Sequence, residues 1–212
     1  MLRRPCRFPR FRPPVRSVLA CSLSISLSMV FASDLQSDPA AAEPMTLFTF
    51  EAPSEAEWSV VNDGVMGGRS QGFVSVEDGT LRFAGTLVTR GGGFTSIRAR
   101  READLSGYDG IEMRVRGGGR PFELAVDDGT RGYGRTVSRR ASFPTGDDWT
   151  VVRIPFETLR STIFGRAVNA PALDQARVRG VGIFMADGQD GPFRLEIDWI
   201  RAYSEAGTRP PE

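Results

Sequence analysis

Residues 111–116, Ile111-Glu112-Met113-Arg114-Val115-Arg116, alternate an apolar with a charged side chain throughout. Successive side chains of an extended strand point to opposite faces, so this stretch predicts a strand with one face buried and one in water. The same reading extends in both directions. Upstream, Leu47-Phe48-Thr49-Phe50, then Phe73, Val74 and Val76, then Leu81 with Phe83, then residues 94–100 predict strands. Downstream, Phe122, Leu124 and Val126 alternate with Glu123 and Ala125; residues 133–137 predict a weaker strand; residues 149–154, 181–185 and 193–200 complete the set. Pro155 marks the end of its element, because proline cannot donate in the centre of a sheet.

Turn signals separate these runs: Glu77-Asp78-Gly79, Gly107-Tyr108-Asp109-Gly110, Gly117-Gly118-Gly119 and Asp127-Asp128-Gly129. Helical periodicity is nearly absent, with room for one turn at 156–161 and another at 174–177. A doubly wound α/β fold is therefore excluded. About ten short strands with frequent turns predict an all-β sandwich or jelly roll. No repeat and no second core is evident.

Composition narrows the chemistry. The chain has 212 residues and no histidine, which removes a Ser-His-Asp triad, a Cys-His pair and every His-based metal site. Its 27 basic residues are all arginine, against 26 Asp and Glu. Six arginines and no acid lie in residues 1–32, so the remainder carries 21 Arg against 26 acids, a balance of −5. An acidic body without a basic tract argues against nucleic-acid binding.

Residues 1–32 have the form of a secretory signal peptide: arginines at 3, 4, 7, 10, 12 and 16, an uncharged run over 17–33, and Val30 with Ala32 before a cleavage position. The run is too short and too serine-rich for a membrane span, so no stable span is expected after cleavage. An organelle transit peptide would place the chain in mitochondria, and a start at Met29 or Met45 in the cytoplasm, instead of the periplasm; an uncleaved membrane anchor is the remaining alternative. Both cysteines, Cys6 and Cys21, fall in this leader, leaving a mature chain with no disulfide or thiolate. The expected organisation is a leader over 1–32, a linker over 33–45, one domain over 46–203 and a polar tail over 204–212.

The most unusual stretch is Trp58-Ser59-Val60-Val61-Asn62-Asp63-Gly64-Val65-Met66-Gly67-Gly68-Arg69-Ser70-Gln71-Gly72. Its glycines permit tight turns, and Asn62 and Asp63 can accept bonds from nearby backbone amides. Two readings stand. One is a structural loop plugged into the sandwich by Val65 and Met66; the other is a binding loop exposing Asn62, Asp63, Arg69 and Ser70. No Gly-Lys-Ser/Thr follows, so it is not a phosphate loop. Tyr133, between Gly132 and Gly134 and flanked by Arg131 and Arg135, is the aromatic expected at the surface, whereas Trp149 and Trp199 are expected in the core.

Other polar groups have structural readings first. Asp127-Asp128 and Asp187-Gly188 read as turns, with carboxylate hydrolysis or calcium as the alternative. Arg114 and Arg116 are expected in cross-strand pairs with acids such as Glu112 and Glu123. Asp198 is expected on the solvent face of its strand or paired with an arginine.

The Trp58–Gly72 stretch resembles the signature of the complex I intermediate-associated protein 30 family. The similarity continues through Gly92-Gly93-Phe94-Thr95-Ser96-Ile97-Arg98, Leu105-Ser106-Gly107-Tyr108-Asp109-Gly110-Ile111 and Val115-Arg116-Gly117. Further on it includes Trp149-Thr150-Val151-Val152-Arg153-Ile154-Pro155-Phe156 and Gly191-Pro192-Phe193-Arg194-Leu195-Glu196-Ile197-Asp198-Trp199-Ile200, for a span of about residues 46–203. The resemblance implies a galactose-binding-like jelly roll. It also implies a noncatalytic accessory role: binding a protein partner, such as subunits of a membrane or electron-transfer complex, with no cofactor and no catalytic residue. The alternatives are a carbohydrate-binding module of an exported protein and, third, a hydrolase. The candidate contact residues are Asn62, Asp63, Val65, Met66, Arg69, Ser70 and Tyr133, with the turns at 91–94 and 131–135 joining the same surface.

Overall fold

The computed structural model describes residues 43–52 and 56–205, with Val65 and Met66 described by their backbone alone. The expected leader, the linker through residue 42 and the tail from residue 206 lie outside the described residues, as do the side chains of Val65 and Met66.

The alternating stretch at residues 111–116 lies in β6 (Gly110–Arg116), with Ile111, Met113 and Val115 wholly buried. Its neighbours are β11 (Thr150–Pro155) on one side and the long β15 (Gly191–Tyr203) on the other. Beyond β15 come β4 (Thr80–Leu87) and the edge strand β3 (Gln71–Glu77); β1 (Met45–Phe48) pairs with the far end of β15. Every pairing is antiparallel. Pro155 terminates β11 at the sheet edge, where its missing N–H is harmless.

The second sheet follows the order β13 (Arg166–Ala167), β12 (Arg160–Ile163), β10 (Ser138–Phe143), β7 (Phe122–Asp127), β14 (Val178–Met185), β5 (Thr95–Ala103) and β2 (Ser59–Asn62). A separate hairpin joins β8 (Arg131–Gly132) to β9 (Arg135–Thr136). The inner faces meet in one core: Leu81, Phe83, Met113, Leu195 and Ile197 from the first sheet, Ile97, Leu124 and Ile183 from the second, all fully buried. Phe83 packs edge-on to Phe193 at 4.9 Å, and Phe122 contacts both rings at 6.4 and 6.1 Å. This is the all-β jelly-roll sandwich that the strand pattern predicts.

Helix is limited to short 3-10 turns among the described residues, at Asp63–Met66, Phe156–Thr158 and Gln175–Arg177. Two longer elements depart from expectation. β2 lies inside the stretch read as loop, pairing Val60 with Ile97 and Asn62 with Thr95. β10 escapes the hydropathy pattern because Arg139, not an apolar residue, occupies a buried position; it is 2% exposed and pairs with buried Asp128 at 3.2 Å. Residues 133–137 do not form one strand. Tyr133 sits instead at the tip of the β8–β9 hairpin with φ of 50°.

Candidate functional site

β2 ends at Asn62, and the chain turns through Asp63–Met66 to Gly67, which takes a left-handed φ of 83°. Asp63 is fully buried. Its Oδ1 accepts from Ser70 N at 3.0 Å, and its Oδ2 from Ser70 Oγ at 2.7 Å, Gly93 N at 2.7 Å and Phe94 N at 3.3 Å. One carboxylate thus fastens its own loop to residues 91–94, which lead into β5. Burial works against the charged form, but the hydrogen bonds from Gly93, Ser70 and Phe94 outweigh it and hold the carboxyl below the ordinary value.

Two glycines make room for this group. A Cβ on Gly68 would stand 2.1 Å from Asp63 Cγ, and one on Gly92 would stand 2.3 Å from its Oδ2. Around the clamp, Val88 N donates to Ser70 Oγ at 3.1 Å. Asn62 Oδ1 accepts from Gly72 N at 3.0 Å and Thr95 Oγ1 at 2.6 Å. At the same end, Thr89 N donates to Asp190 at 2.7 Å, and Arg120 meets Asp187 through Nε and Nη2 at 2.8 and 2.6 Å.

The candidate contact residues therefore divide. Asp63 and Ser70 are buried and bonded to each other, and Asn62 is half-buried and occupied by the fold. Arg69 is exposed, held between Gly68 and buried Ser70, and Arg90 is exposed on the adjoining loop. Tyr133 lies elsewhere. β7 runs from the clamped end toward Asp127, and the β8–β9 hairpin follows β7, so Tyr133 stands at the opposite end of the strands. The turn at 91–94 joins the Asp63 loop as expected for one surface; the turn at 131–135 does not.

The outer faces carry arginine–aromatic stacks. Trp149 and Trp199, expected in the core, are half-buried on the outside of the first sheet. Arg114 and Arg116 each lie 4.9 Å from the Trp149 ring, while Arg201 lies 4.3 Å from that of Trp199. The arginines are paired, though not with the acids expected: Arg114 meets Asp198 and Arg116 meets Glu196, both at 2.6 Å, and Glu112 takes Arg153 at 3.1 Å. A bulge between Ile197 and Trp199 explains the tryptophan placement, because it shifts the buried set from 193, 195, 197 to 200, 202. The three-residue step from Ile197 to Ile200 was its signal in the sequence.

On the second sheet, Phe184 points outward yet is only 2% exposed, roofed by Arg98 at 5.0 Å and Arg140 at 3.6 Å. Burial lowers the pKa of both guanidiniums, and Arg140 lowers that of Arg98 further by like-charge repulsion. Arg140 also lines a cleft of about 390 Å³ with Glu123, Arg153 and Arg160, between the edges of β10 and β11.

The paired aspartates are used by the fold. Asp127 accepts from Gly129 N at 2.8 Å, closing its turn. Asp128 accepts from Thr130 N, Asp174 N and Arg139 at 2.9, 3.0 and 3.2 Å. Among the described residues no three His, Cys, Asp or Glu side chains gather as a metal site. No described helix is long and apolar enough to cross a membrane.

Residues 48–197 match the family model described as Complex I intermediate-associated protein 30. Among curated relatives, the mouse mitochondrial protein of that name is 30% identical over 178 residues, covering 70% of this chain and 52% of its own length. The Drosophila melanogaster protein is 26% identical over 186 residues, covering 74% and 62%. The chain thus spans about half the length of the mouse relative. Among solved structures, the family 11 carbohydrate-binding module from Clostridium thermocellum, in complex with a mixed-linked tetrasaccharide, has a TM-score of 0.59 at 15% identity. That match covers 78% of this chain and 98% of the module, a likeness of fold.

Proposed function

This chain belongs to the complex I intermediate-associated protein 30 family, and on that premise we propose that it is a noncatalytic accessory factor that binds a protein partner during assembly of a membrane or electron-transfer complex. The observation that carries this reading is the span of the family match, which takes in both sheets and the whole Asp63-clamped loop. The clamp supports a recognition surface that is set before binding: Asp63 spends its charge on backbone and hydroxyl donors and leaves Arg69 facing water. Rigid loops lose little entropy on docking, and arginine is a frequent anchor of protein interfaces. Val65 and Met66 belong to the same proposed surface. Each aspartate whose pKa shifts is lowered and stays ionised at neutral pH, the wrong state for a general acid. The leader supports export to the periplasm, with the mitochondrial location of the named relatives as the alternative.

Crosslinked capture of the natively expressed chain from fractionated cells, beside an Arg69→Ala variant of equal thermal stability, tests the proposal. Membrane-complex subunits should be enriched with the parent chain and lost with the variant. Enrichment of no protein above control, or of the same set with both chains, overturns it. A second reading, glycan binding, has in its favour the cleft beside β10 and β11, where Glu123, Arg140, Arg153 and Arg160 stand among apolar surface. It requires saturable binding on a glycan array that an Arg140→Ala, Arg153→Ala variant loses.

A further inference from the structure

Among the described residues, three hairpins use a two-residue loop with left-handed backbone at both positions: Asp78-Gly79 (φ 51° and 70°), Tyr133-Gly134 (50° and 74°) and Phe164-Gly165 (49° and 74°). Such turns favour Asn-Gly or Asp-Gly, because a short polar side chain tolerates this backbone and a bulky one is strained there. The β3–β4 turn follows the rule with Asp78. The other two place aromatic residues in the strained position, and both rings face water: Tyr133 is 92% exposed and Phe164 is 67% exposed. Folding alone gives no reason for either choice, since burial of the ring does not offset the strain.

The two aromatic turns are neighbours. Arg135 lies 5.4 Å from the Phe164 ring, and a Cβ on Gly132 would touch Ile163 at 3.4 Å. Their surroundings are cationic. Segments 129–146 and 158–173 contain no Asp or Glu, in a body of net charge −5 beyond the leader. Arg131, Arg135 and Arg166 stand exposed beside the two rings, with Arg131 donating to Gly134 O at 2.8 Å across its own turn. Saturable sugar sites use carboxylates or amides against hydroxyls in a concave wall. These tips project, and 129–146 contains no Asn or Gln either.

We propose that the paired β8–β9 and β12–β13 hairpins form a membrane-docking edge, on which Tyr133 and Phe164 enter the headgroup region of an anionic bilayer and Arg135 and Arg166 meet lipid phosphates. Tyrosine, with an apolar ring and a polar hydroxyl, settles at the membrane–water interface, a phenylalanine ring inserts at the headgroup–acyl boundary, and arginines close to the surface are drawn to anionic lipid. The edge lies at the opposite end of the strands from Arg69, so it acts independently of the partner surface proposed above.

The test compares the full chain with a Tyr133→Asn, Phe164→Asn variant, which replaces strained residues by one the turn prefers. The variant should melt at the same or a higher temperature, so lost binding is not lost folding. The probes are phosphatidylcholine vesicles with and without about 30% phosphatidylglycerol, approximating an anionic leaflet. The arginine-rich leader is common to both chains, so the reading is the difference between them and the position of amide-exchange protection. Anionic vesicles should protect 131–135 and 163–166 in the parent but not the turn at 78–79, and the variant should lose affinity by about tenfold as aromatic and apolar insertion is removed. Equal affinity of the two chains, equal protection by neutral vesicles, or hairpin protection by polyglutamate but not vesicles overturns the proposal; the last outcome points to an acidic protein.

Discussion

At Asp63, four donors from three residues converge on one carboxylate that water does not reach. Asp63→Ala would leave those donors facing a void, and a buried unsatisfied donor costs more than the net gain of an ordinary hydrogen bond. The expected loss is about 3 kcal/mol, seen as a melting temperature about 10 °C lower in calorimetry. A loss below about 1 kcal/mol would mean that the loop finds other acceptors and that the clamp is not what holds it. The sequence displays Asn62-Asp63-Gly64 plainly, yet cannot say whether the carboxylate faces in or out. Its donors are Ser70, seven residues on, and Gly93 and Phe94, 30 and 31 residues on. Arg139 shows the same gap from the other side: an arginine reads as solvent-facing until Asp128 is found beside it.

At the scale of elements, the strands with apolar–polar alternation were legible and the exceptions have local causes. β6 alternates cleanly because its inner residues fill the core while its outer Glu112, Arg114 and Arg116 are held in ion pairs on the other face, where Glu112 is itself buried. β15 does not, because it has one extra residue. Asp198 sits between Ile197, opposite Val115, and Trp199, opposite Arg114. Deleting Asp198 would set Trp199 directly after Ile197, the register their consecutive partners Arg114 and Val115 already define, so later side chains keep their faces and only the bulge and the Arg114 ion pair are lost. The expected result is a chain that keeps native near-ultraviolet circular dichroism, whereas one alanine inserted between Trp199 and Ile200 turns Ile200 and Ala202 to the wrong face and abolishes it. A deletion variant without native spectra, or an insertion variant with them, would show that register does not decide the faces of this strand. β2 was missed because four residues, only two of them apolar, are too few for a period to emerge.

For the molecule as a whole, the buried carboxylates set the response to acid. Burial raises the pKa of Asp128, Asp187 and Asp63 alike, but in each case hydrogen bonds prevail, reinforced by Arg139 at Asp128 and Arg120 at Asp187. Their folded values therefore lie below the unfolded value of 3.8. A lowered carboxyl contributes stability that is present above its unfolded pKa and lost as pH falls through the folded one. Urea midpoints should accordingly hold from neutrality down toward the unfolded value of 3.8 and fall steeply below it. An Asp63→Asn, Asp187→Asn variant should start lower at pH 7 and decline less on acidification. Parallel curves for the two chains would refute the role of these groups.

Local alternation and turn chemistry determined the all-β class and most strands, since they depend on neighbours a few residues apart, and the ordered motifs from Trp58 to Ile200 carried the resemblance to the family. The signature loop was equally visible as a loop. Only tertiary structure decided which of its polar residues face inward, that Tyr133 stands at the far end from Arg69, and that Tyr133 and Phe164 share an edge. Those outcomes depend on strand register and on packing between residues distant in the chain, where one bulge or one buried ion pair redirects a side chain without altering its local pattern.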